Sequence, residues 1–267
     1  MRLRRNDTRI FCSSGPDTDP DILRVAEQVY RRYDDRQARW ALADGPQIWR
    51  ICLGRRSAVV GVRQDGRLYA AKLFYDQRAR TRLRVRLGLA KARRAYRNGL
   101  RLAERGIPCP RTLGYVEQRP GRLPLLVMEL LADAAQLDHW IDRRGVTRPL
   151  VEAVARFVRH LHDQGIFHRD LSPRNLMVGP SGQTFRVWLV DYEDARFRRT
   201  VSPRRRLANL HHLHERLLCR VSLRDRLRFL RAYAGPGYRA WRDPLRGRIQ
   251  TRRSRKVQAY HEYLRTR

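Results

Sequence analysis

The sequence lacks three features that would each define a class of protein. It has no stretch of about 18 consecutive apolar residues, the minimum for a membrane-spanning helix. Its basic start, MRLRR, is not followed by the apolar segment of a signal peptide. Its four cysteines, Cys12, Cys52, Cys109 and Cys219, are widely spaced without a CxxC pair, which argues against a zinc site or a disulfide framework. We therefore expect a cytoplasmic globule with reduced thiols.

Lysine and acidic residues are also scarce, whereas arginine is abundant. The 267 residues contain 59 Lys+Arg against 26 Asp+Glu, a formal net charge of +33, and only three of the basic residues are lysines. Such a surface attracts polyanions, whether nucleic acid, anionic lipid or a phosphorylated substrate. Zinc-finger spacing and RNP-type aromatic motifs are absent, so nucleic acid is not favoured. A purely compositional origin of the arginines stays open.

The first half of the chain alternates between strand and helix patterns. Residues 21–33 have apolar side chains at helical spacing. Residues 47–75 are rich in β-branched and aromatic residues and contain a QDG turn, which predicts an antiparallel meander of about three strands. We expect a basic helix within residues 77–105, followed by strands in IPCPRTLGYVEQ and RLPLLVMELL.

The second half of the chain is mainly helical in pattern. Residues 150–165 have one apolar face and end at a glycine. Two short extended pieces flank a GPSG turn. Helices follow in RRRLANLHHLHERLL and in SLRDRLRFLRAYAG, where Ser222 and Asp225 have capping-box spacing. The sequence thus predicts an α+β protein with a small β-rich N-lobe over residues 1–131 and a mainly helical C-lobe over residues 132–267.

Four polar residues meet the chemical needs of phosphoryl transfer from ATP. Asp170, in GIFHRDLSPRNLMV, can receive the proton of an acceptor hydroxyl, and Asn175 can serve as a neutral oxygen ligand for Mg²⁺. The apolar strand VWLVD delivers Asp191 as a second metal ligand, and Lys72 in LYAAKLFY can bind the α- and β-phosphates. Each residue alone is more often structural, but the ordered set predicts a bilobal protein-kinase-like fold.

At these residues the chain resembles the protein-kinase-like superfamily, and more narrowly the lipopolysaccharide kinase family of Gram-negative bacteria. The narrower resemblance rests on YRNGLRLAERGIPCPRTLGYVE, HRDLSPRNLMV, VWLVDYEDARFRR and RRRLANLHHLHERLL, within residues 47–235. It implies an ATP- and Mg²⁺-dependent kinase that phosphorylates a heptose or Kdo hydroxyl of the lipopolysaccharide inner core. The enzyme would be peripheral on the inner face of the inner membrane, where its arginines would contact anionic lipid.

The resemblance also implies roles for individual residues. The four residues above would be the catalytic base, the two Mg²⁺ ligands and the phosphate-binding lysine. Gly54 would lie in the ATP-binding loop, and Glu129 and Leu131 would belong to the hinge whose backbone meets adenine. His168 and Arg169 would hold the catalytic loop in place.

Several positions depart from the pattern of active kinases. The nucleotide loop LGRRSAVVGV is not G-x-G-x-x-G, and the DFG position reads DYE, where Glu193 could be a third metal ligand. The basic helix offers KARRAYRN in place of the glutamate that would pair with Lys72, and its only glutamate is Glu104. An activation segment with A-P-E is missing after Asp191, which favours a sugar or small-molecule acceptor over a peptide.

Two other interpretations stay open. The DYE carboxylates would also suit a small-molecule phosphotransferase of the aminoglycoside or choline type. The missing glutamate would suit an inactive pseudokinase that acts as a basic scaffold. His211, His212 and His214 lack the spacing of a zinc motif, so we expect core or surface roles for them. The sequence gives no indication of oligomeric state.

Overall fold

The computed structural model describes residues 2–5, 8–12, 21–32, 46–54, 57–74, 91–118, 124–217, 219–242 and 244. The chain divides into two units, Met1–Ala132 and Asp133–Arg267, and each unit has its own secondary structure. Among the helices described, none has the length and apolar character needed to span a bilayer.

The first unit is built around an antiparallel sheet of seven strands. The strands are β1 (Arg2–Arg5), β2 (Thr8–Cys12), β3 (Ile48–Leu53), β4 (Ser57–Gln64), β5 (Arg67–Phe74), β6 (Thr112–Gln118) and β7 (Leu125–Glu129). Their order in the sheet is β1-β2-β6-β7-β5-β4-β3. The meander β3-β4-β5 confirms the prediction, and its QDG turn has positive φ at Asp65 and Gly66. The β1–β2 hairpin was not predicted, because the leader lacks a period-two apolar pattern.

One face of the sheet packs on a helix through apolar side chains. Helix α1 (Ile22–Arg32) places Val25 and Val29 in a buried cluster with Ala71 of β5. Burying a valine side chain contributes about 1.5–3 kcal/mol. Because successive side chains of a strand point to opposite faces, Lys72 lies on the other face of the sheet.

Helix α2 (Lys91–Glu104) packs against β6 and β7. Gly99 lies so close to Thr112 that an added Cβ would come within 2.4 Å of the threonine methyl, so only glycine allows this approach. The predicted basic helix is confirmed from Lys91 onward, and its expected first part lies outside the described residues.

The second unit is mainly helical, as predicted. Its helices are α3 (Leu137–Arg144), α4 (Arg148–Asp163), α5 (Pro203–Arg216) and α6 (Leu223–Ala234). Its strands are β8 (Ala135–Gln136), β9 (Ile166–His168), β10 (Leu176–Ser181), β11 (Thr184–Leu189) and β12 (Ala195–Phe197). They form two small sheets, β11-β10-β8 and β12-β9. The β10–β11 hairpin confirms the two extended pieces predicted around GPSG, but Gly179, Pro180 and Ser181 continue β10, and the turn lies at Gly182 and Gln183.

Local signals explain where the helices of this unit begin and end. Thr147 caps α4 by accepting a hydrogen bond from the Leu150 amide. After α4, Gly165 has a φ of +73°, and an added Cβ would lie 2.2 Å from the backbone oxygen of Arg198. Helix α6 begins at the predicted capping position, where Ser222 Oγ accepts from the backbone amide three residues later at 3.2 Å. The basic tail lies outside the described residues.

Candidate functional site

The loop between β9 and β10 contains Asp170 and Asn175 and is fixed by its own hydrogen bonds. Asn175 Nδ2 donates to the backbone oxygen of Asp170 at 2.7 Å, and the Asn175 amide donates to Ser172 O at 3.0 Å. The Asn175 side chain is buried, whereas the Asp170 carboxylate is 57% exposed. Since the asparagine uses its nitrogen to hold the loop, its Oδ1 remains as an acceptor or metal ligand.

Asp191 lies in a sharp turn directly after β11. Its φ of 57° is in the left-handed region, and the short 3₁₀ helix Tyr192–Asp194 follows. Such a backbone conformation costs roughly 1–2 kcal/mol in most residues, although aspartate adopts it more readily. Tyr192 is buried beneath the turn, and Asp191 is exposed. The turn therefore presents the carboxylate-bearing residue at the surface of this unit.

The loop between β9 and β10 is joined to the Asp191 turn by backbone and side-chain hydrogen bonds. Strands β9 and β12 pair with His168 opposite Ala195. The buried His168 ring donates from Nε2 to the backbone oxygen of Asp191 at 3.1 Å. The Arg169 amide donates to Asp194 O at 3.2 Å. His168 thus holds the loop against the turn, and Arg169 contributes through its backbone.

A further bond ties the end of β11 to the loop. The Val190 amide donates to the backbone oxygen of Asn175 at 3.0 Å. Residues separated in sequence by a hairpin are thereby brought together. Asp170, Asn175 and Asp191 consequently occupy one region of the second unit.

Helix α5 supports the loop from a second side. Asn209 is 2% exposed, and its Nδ2 donates to the backbone oxygen of His168 at 2.6 Å. Its Oδ1 accepts from His162 Nε2 at 3.1 Å, and His162 Nδ1 in turn accepts from the Tyr233 hydroxyl at 2.8 Å. Burial lowers the pKa of His162 to about 4, so the ring stays neutral and can both donate and accept.

Lys72 lies at a buried position on the face of the sheet opposite α1. Its side chain is 4% exposed, and Nζ lies 5.1 Å from the centroid of the Phe74 ring, within the range of a cation–π contact. Across the sheet Lys72 is paired with Leu126, and Leu126 with Tyr115. The Tyr115 ring packs on Tyr96 of α2. Helix α2 therefore covers the face that carries Lys72.

The covering helix has no carboxylate on its buried side. Its buried residues are Ala92, Ala95, Tyr96, Asn98, Gly99 and Leu102. Glu104, the acid predicted as a possible partner of Lys72, is exposed at the last residue of α2. The glutamate that would pair with Lys72 in active kinases is therefore missing from the buried side of α2 as well as from its sequence.

The other residues predicted to bind ATP also lie in the first unit. The Gly54 amide donates to Ser57 O at 2.9 Å at the end of the β3–β4 hairpin. Glu129 ends β7, where its amide donates to Arg111 O at 2.9 Å and its carboxylate accepts from the Arg111 amide at 3.4 Å. Leu131 follows and is half-buried. These three lie with Lys72 in the first unit, apart in sequence and unit from the acidic residues.

The donor set of the second unit fits a hard cation that brings other ligands with it. The carboxylate of Asp191 and the amide oxygen of Asn175 are the oxygen ligands that Mg²⁺ accepts. Within the described residues, no group of three or more His, Cys, Asp or Glu side chains could hold a metal ion. One carboxylate and one amide oxygen are too few to surround a metal ion. They match sites where Mg²⁺ is also bound by water and by substrate phosphates.

Residues 47–233 match the model of the Lipopolysaccharide kinase (Kdo/WaaP) family. The chain belongs to this family. The resemblance inferred from its motifs is confirmed, and the chain is therefore a phosphotransferase with an alcohol group as acceptor and ATP as donor.

Two similar proteins are named as kinases of the kinds that the family name lists, WaaP and Kdo kinase. The chain is 31% identical over 230 residues to the lipopolysaccharide core heptose(I) kinase WaaP of Pseudomonas aeruginosa, covering 78% of this chain and 85% of that protein. It is 26% identical over 98 residues to the 3-deoxy-D-manno-octulosonic acid kinase of Haemophilus influenzae, covering 35% of this chain and 40% of the relative.

A solved structure supports the fold. It is that of WaaP in complex with acyl carrier protein, which is 26% identical, covers 86% of this chain and 95% of its own, and has a TM-score of 0.58. The predicted α+β, protein-kinase-like fold is confirmed.

The contacts of Asn209 and His212 with the loop were not predicted from the sequence. His212 was expected to be a core or surface residue, but its Nε2 lies 2.6 Å from Oδ1 of Asp170. The neighbouring His211 is buried, and burial lowers the pKa of His214 to about 4, in line with structural roles. The one available signal was the spacing of Asn209 and His212, three residues apart and hence on one helix face.

Proposed function

We propose that the protein transfers the terminal phosphate of ATP to a heptose or Kdo hydroxyl of the lipopolysaccharide inner core. The names of its relatives, a core heptose(I) kinase and a Kdo kinase, support this substrate class. The observation that carries the proposal is the hydrogen bonding of the loop between β9 and β10 to the Asp191 turn, since Asp170, the proposed base, thereby lies in one region with Asn175 and Asp191, the proposed oxygen ligands. The short link from Asp191 to α5 offers no long segment for docking a peptide.

In this proposal the C-lobe, residues 132–267, carries the chemistry. Asp170 orients the acceptor hydroxyl and takes its proton as the new oxygen–phosphorus bond forms and the bond to ADP breaks. Asn175 and Asp191 would hold Mg²⁺. ATP would supply the phosphoryl group, and the metal ion, when bound, would neutralise charge on the phosphate oxygens.

The N-lobe, residues 1–131, would bind the nucleotide. Lys72 would contact the α- and β-phosphates, which suits a lysine held at a buried position, since phosphate is a strong counterion for a desolvated charge. Gly54 would lie over the phosphates, and the backbone at Glu129 and Leu131 would meet adenine. Lys72 and Asp170 thus divide the work between donor and acceptor.

Transfer of label from γ-labelled ATP tests the substrate class. Purified core lipopolysaccharide lacking core phosphate should be labelled by the wild-type protein, and an aminoglycoside and a generic protein substrate should not. Asp170→Ala should abolish this labelling, and Asp142→Ala, which removes an exposed carboxylate paired with Arg220, is its matched control and should not. Labelling of the aminoglycoside alone would identify the small-molecule type instead. A biological activity that persists without any transfer would identify a pseudokinase scaffold.

We also propose that the protein is peripheral on the anionic inner face of the inner membrane. The net charge of +33 and the exposed Arg97 and Arg101 on α2 support this location. Each basic residue near such a surface contributes about 1 kcal/mol to the free energy of membrane binding. Sedimentation with phosphatidylglycerol vesicles should exceed that with phosphatidylcholine vesicles and fall as salt rises. Equal sedimentation with both lipids at low salt would contradict this location.

A further inference from the structure

The Asp170 carboxylate is held by a residue of α5. His212 Nε2 and Asp170 Oδ1 are 2.6 Å apart, and the two side chains are 27% and 57% exposed. An ionised carboxylate can only accept hydrogen bonds, so Nε2 carries the proton and donates it. Hydrogen bonds to a charged acceptor are shorter and stronger than neutral ones. The contact therefore fixes one oxygen of the carboxylate at a defined point.

The loop itself does not fix this side chain. Its bond from Asn175 reaches the backbone oxygen of Asp170 and leaves the carboxylate free to rotate. An exposed aspartate has several χ1 rotamers and a broad χ2 distribution. Within the described part of the chain, His212 is the hydrogen-bond partner of the carboxylate. A reacting group displaced by about 1 Å can lower a rate by about 10²-fold.

His212 is itself anchored to the structure that holds the loop. It lies three residues after Asn209, on the same face of α5, and Asn209 binds the backbone oxygen of His168. Leu210 and Leu213 beside these residues are buried, which fixes the rotation of the helix. Helix α5 consequently contacts the loop at two points, one on its backbone and one on the side chain of Asp170.

We propose that His212 is a positioning residue for the transfer reaction, which orients the general base Asp170 toward the acceptor hydroxyl. This role rests on the proposed function of Asp170. With Oδ1 held by His212, Oδ2 is the oxygen that accepts the hydroxyl proton. The bond from Nε2 persists after proton transfer, because the carbonyl oxygen of the protonated acid still accepts it.

Steady-state kinetics of two substitutions test the role. His212→Ala removes the donor, and we expect kcat to fall about 10- to 100-fold while KM for ATP and for the core substrate changes less than about two-fold. His212→Gln places an amide N–H at comparable reach, and we expect it to recover kcat to within about five-fold of wild type. His160→Ala, an exposed histidine on α4, is the matched control and should leave kcat unchanged.

A double-substitution cycle separates positioning from a structural role. If His212 acts through Asp170, adding His212→Ala to Asp170→Ala should not lower the residual rate further. Histidine ¹⁵N NMR gives a readout that does not depend on turnover. The His212 resonance is assigned as the signal that disappears in His212→Gln. Its chemical shift should indicate a protonated Nε2, and it should change in Asp170→Asn but not in Asp142→Asn.

Four results would overturn the proposal. They are a wild-type kcat in His212→Ala, a loss that His212→Gln does not recover, an additive double substitution, and an NMR signal that ignores Asp170→Asn. Each leaves transfer by the wild-type protein intact and so rejects the positioning role alone. Failure of the wild-type protein to phosphorylate any core sugar rejects the proposed function and the positioning role together.

Discussion

The loop around Asp170 and the strand around Lys72 hold their polar residues in different ways. The loop is fixed by hydrogen bonds from separate elements, including His168 to the Asp191 turn and Asn209 to the loop backbone. Lys72 is instead fixed by the pairing of β5 with β4 and β7 and by burial. The first arrangement depends on directional contacts between distant residues, whereas the second follows from strand alternation. Substitutions should therefore affect activity and stability in different proportions in the two regions.

The largest expected effect is the loss of activity on changing the Asp191 carboxylate. Asp191→Asn keeps a residue that tolerates the left-handed backbone but removes the charge. We expect kcat to fall by about 10³-fold or more, since the carboxylate is a proposed metal ligand. The thermal midpoint should change by less than about 2 °C because Asp191 is exposed. Phosphate-transfer assays and thermal melts measure both quantities, and retained activity would remove Asp191 from the site.

Lys72→Met should separate activity from stability more sharply. We expect transfer to fall by about 10²-fold or more, because the phosphate-binding charge is removed. The free energy of unfolding should change proportionally less than activity, because methionine keeps the apolar packing of the lysine chain in this buried strand. Lys91→Met, at the first residue of α2, is the control. A strongly destabilised Lys72→Met with full activity would contradict the account of this strand.

Asn209→Leu, in contrast to the two substitutions above, should mainly lower stability. The substitution leaves the buried backbone oxygen of His168 and Nε2 of His162 without their partner, whereas Nδ1 of His162 keeps its bond to Tyr233. We expect the free energy of unfolding to fall by about 2–4 kcal/mol, as each unsatisfied buried group costs about 1–3 kcal/mol. Urea unfolding measures this change. A stability equal to wild type would show that α5 does not hold the loop.

The pH dependence of unfolding tests the same network through His162. Burial, with a lesser contribution from Arg206, lowers the pKa of His162 to about 4 from an ordinary 6.5. The unfolded chain therefore binds a proton that the folded chain excludes between these values. Stability contributed by the neutral ring is full above pH 6.5 and is lost as pH falls toward 4, by about 3 kcal/mol in all. His162→Gln should flatten this part of the urea-unfolding profile, and an unchanged slope would contradict it.

The parts of the site that depend on local sequence pattern could be predicted. The strand pattern of LYAAKLFY predicted the strand that carries Lys72 but not that both of its faces are buried, and the spacing of Asp170, Asn175 and Asp191 followed a known order of motifs. The contacts of Asn209 and His212 could not be predicted, because they join α5 to a loop about 40 residues earlier. No periodicity records such a pairing. The left-handed backbone of Asp191 was equally invisible, since aspartate occurs in many conformations.

Phosphorus NMR of the acceptor tests the central claim most directly. Core lipopolysaccharide lacking core phosphate should gain a new sugar phosphomonoester resonance on incubation with ATP, Mg²⁺ and wild-type protein. It should gain none within the same time with Asp170→Asn, which preserves the shape of the loop but cannot accept the hydroxyl proton. A phosphomonoester formed equally by both proteins, or by neither, would contradict the account.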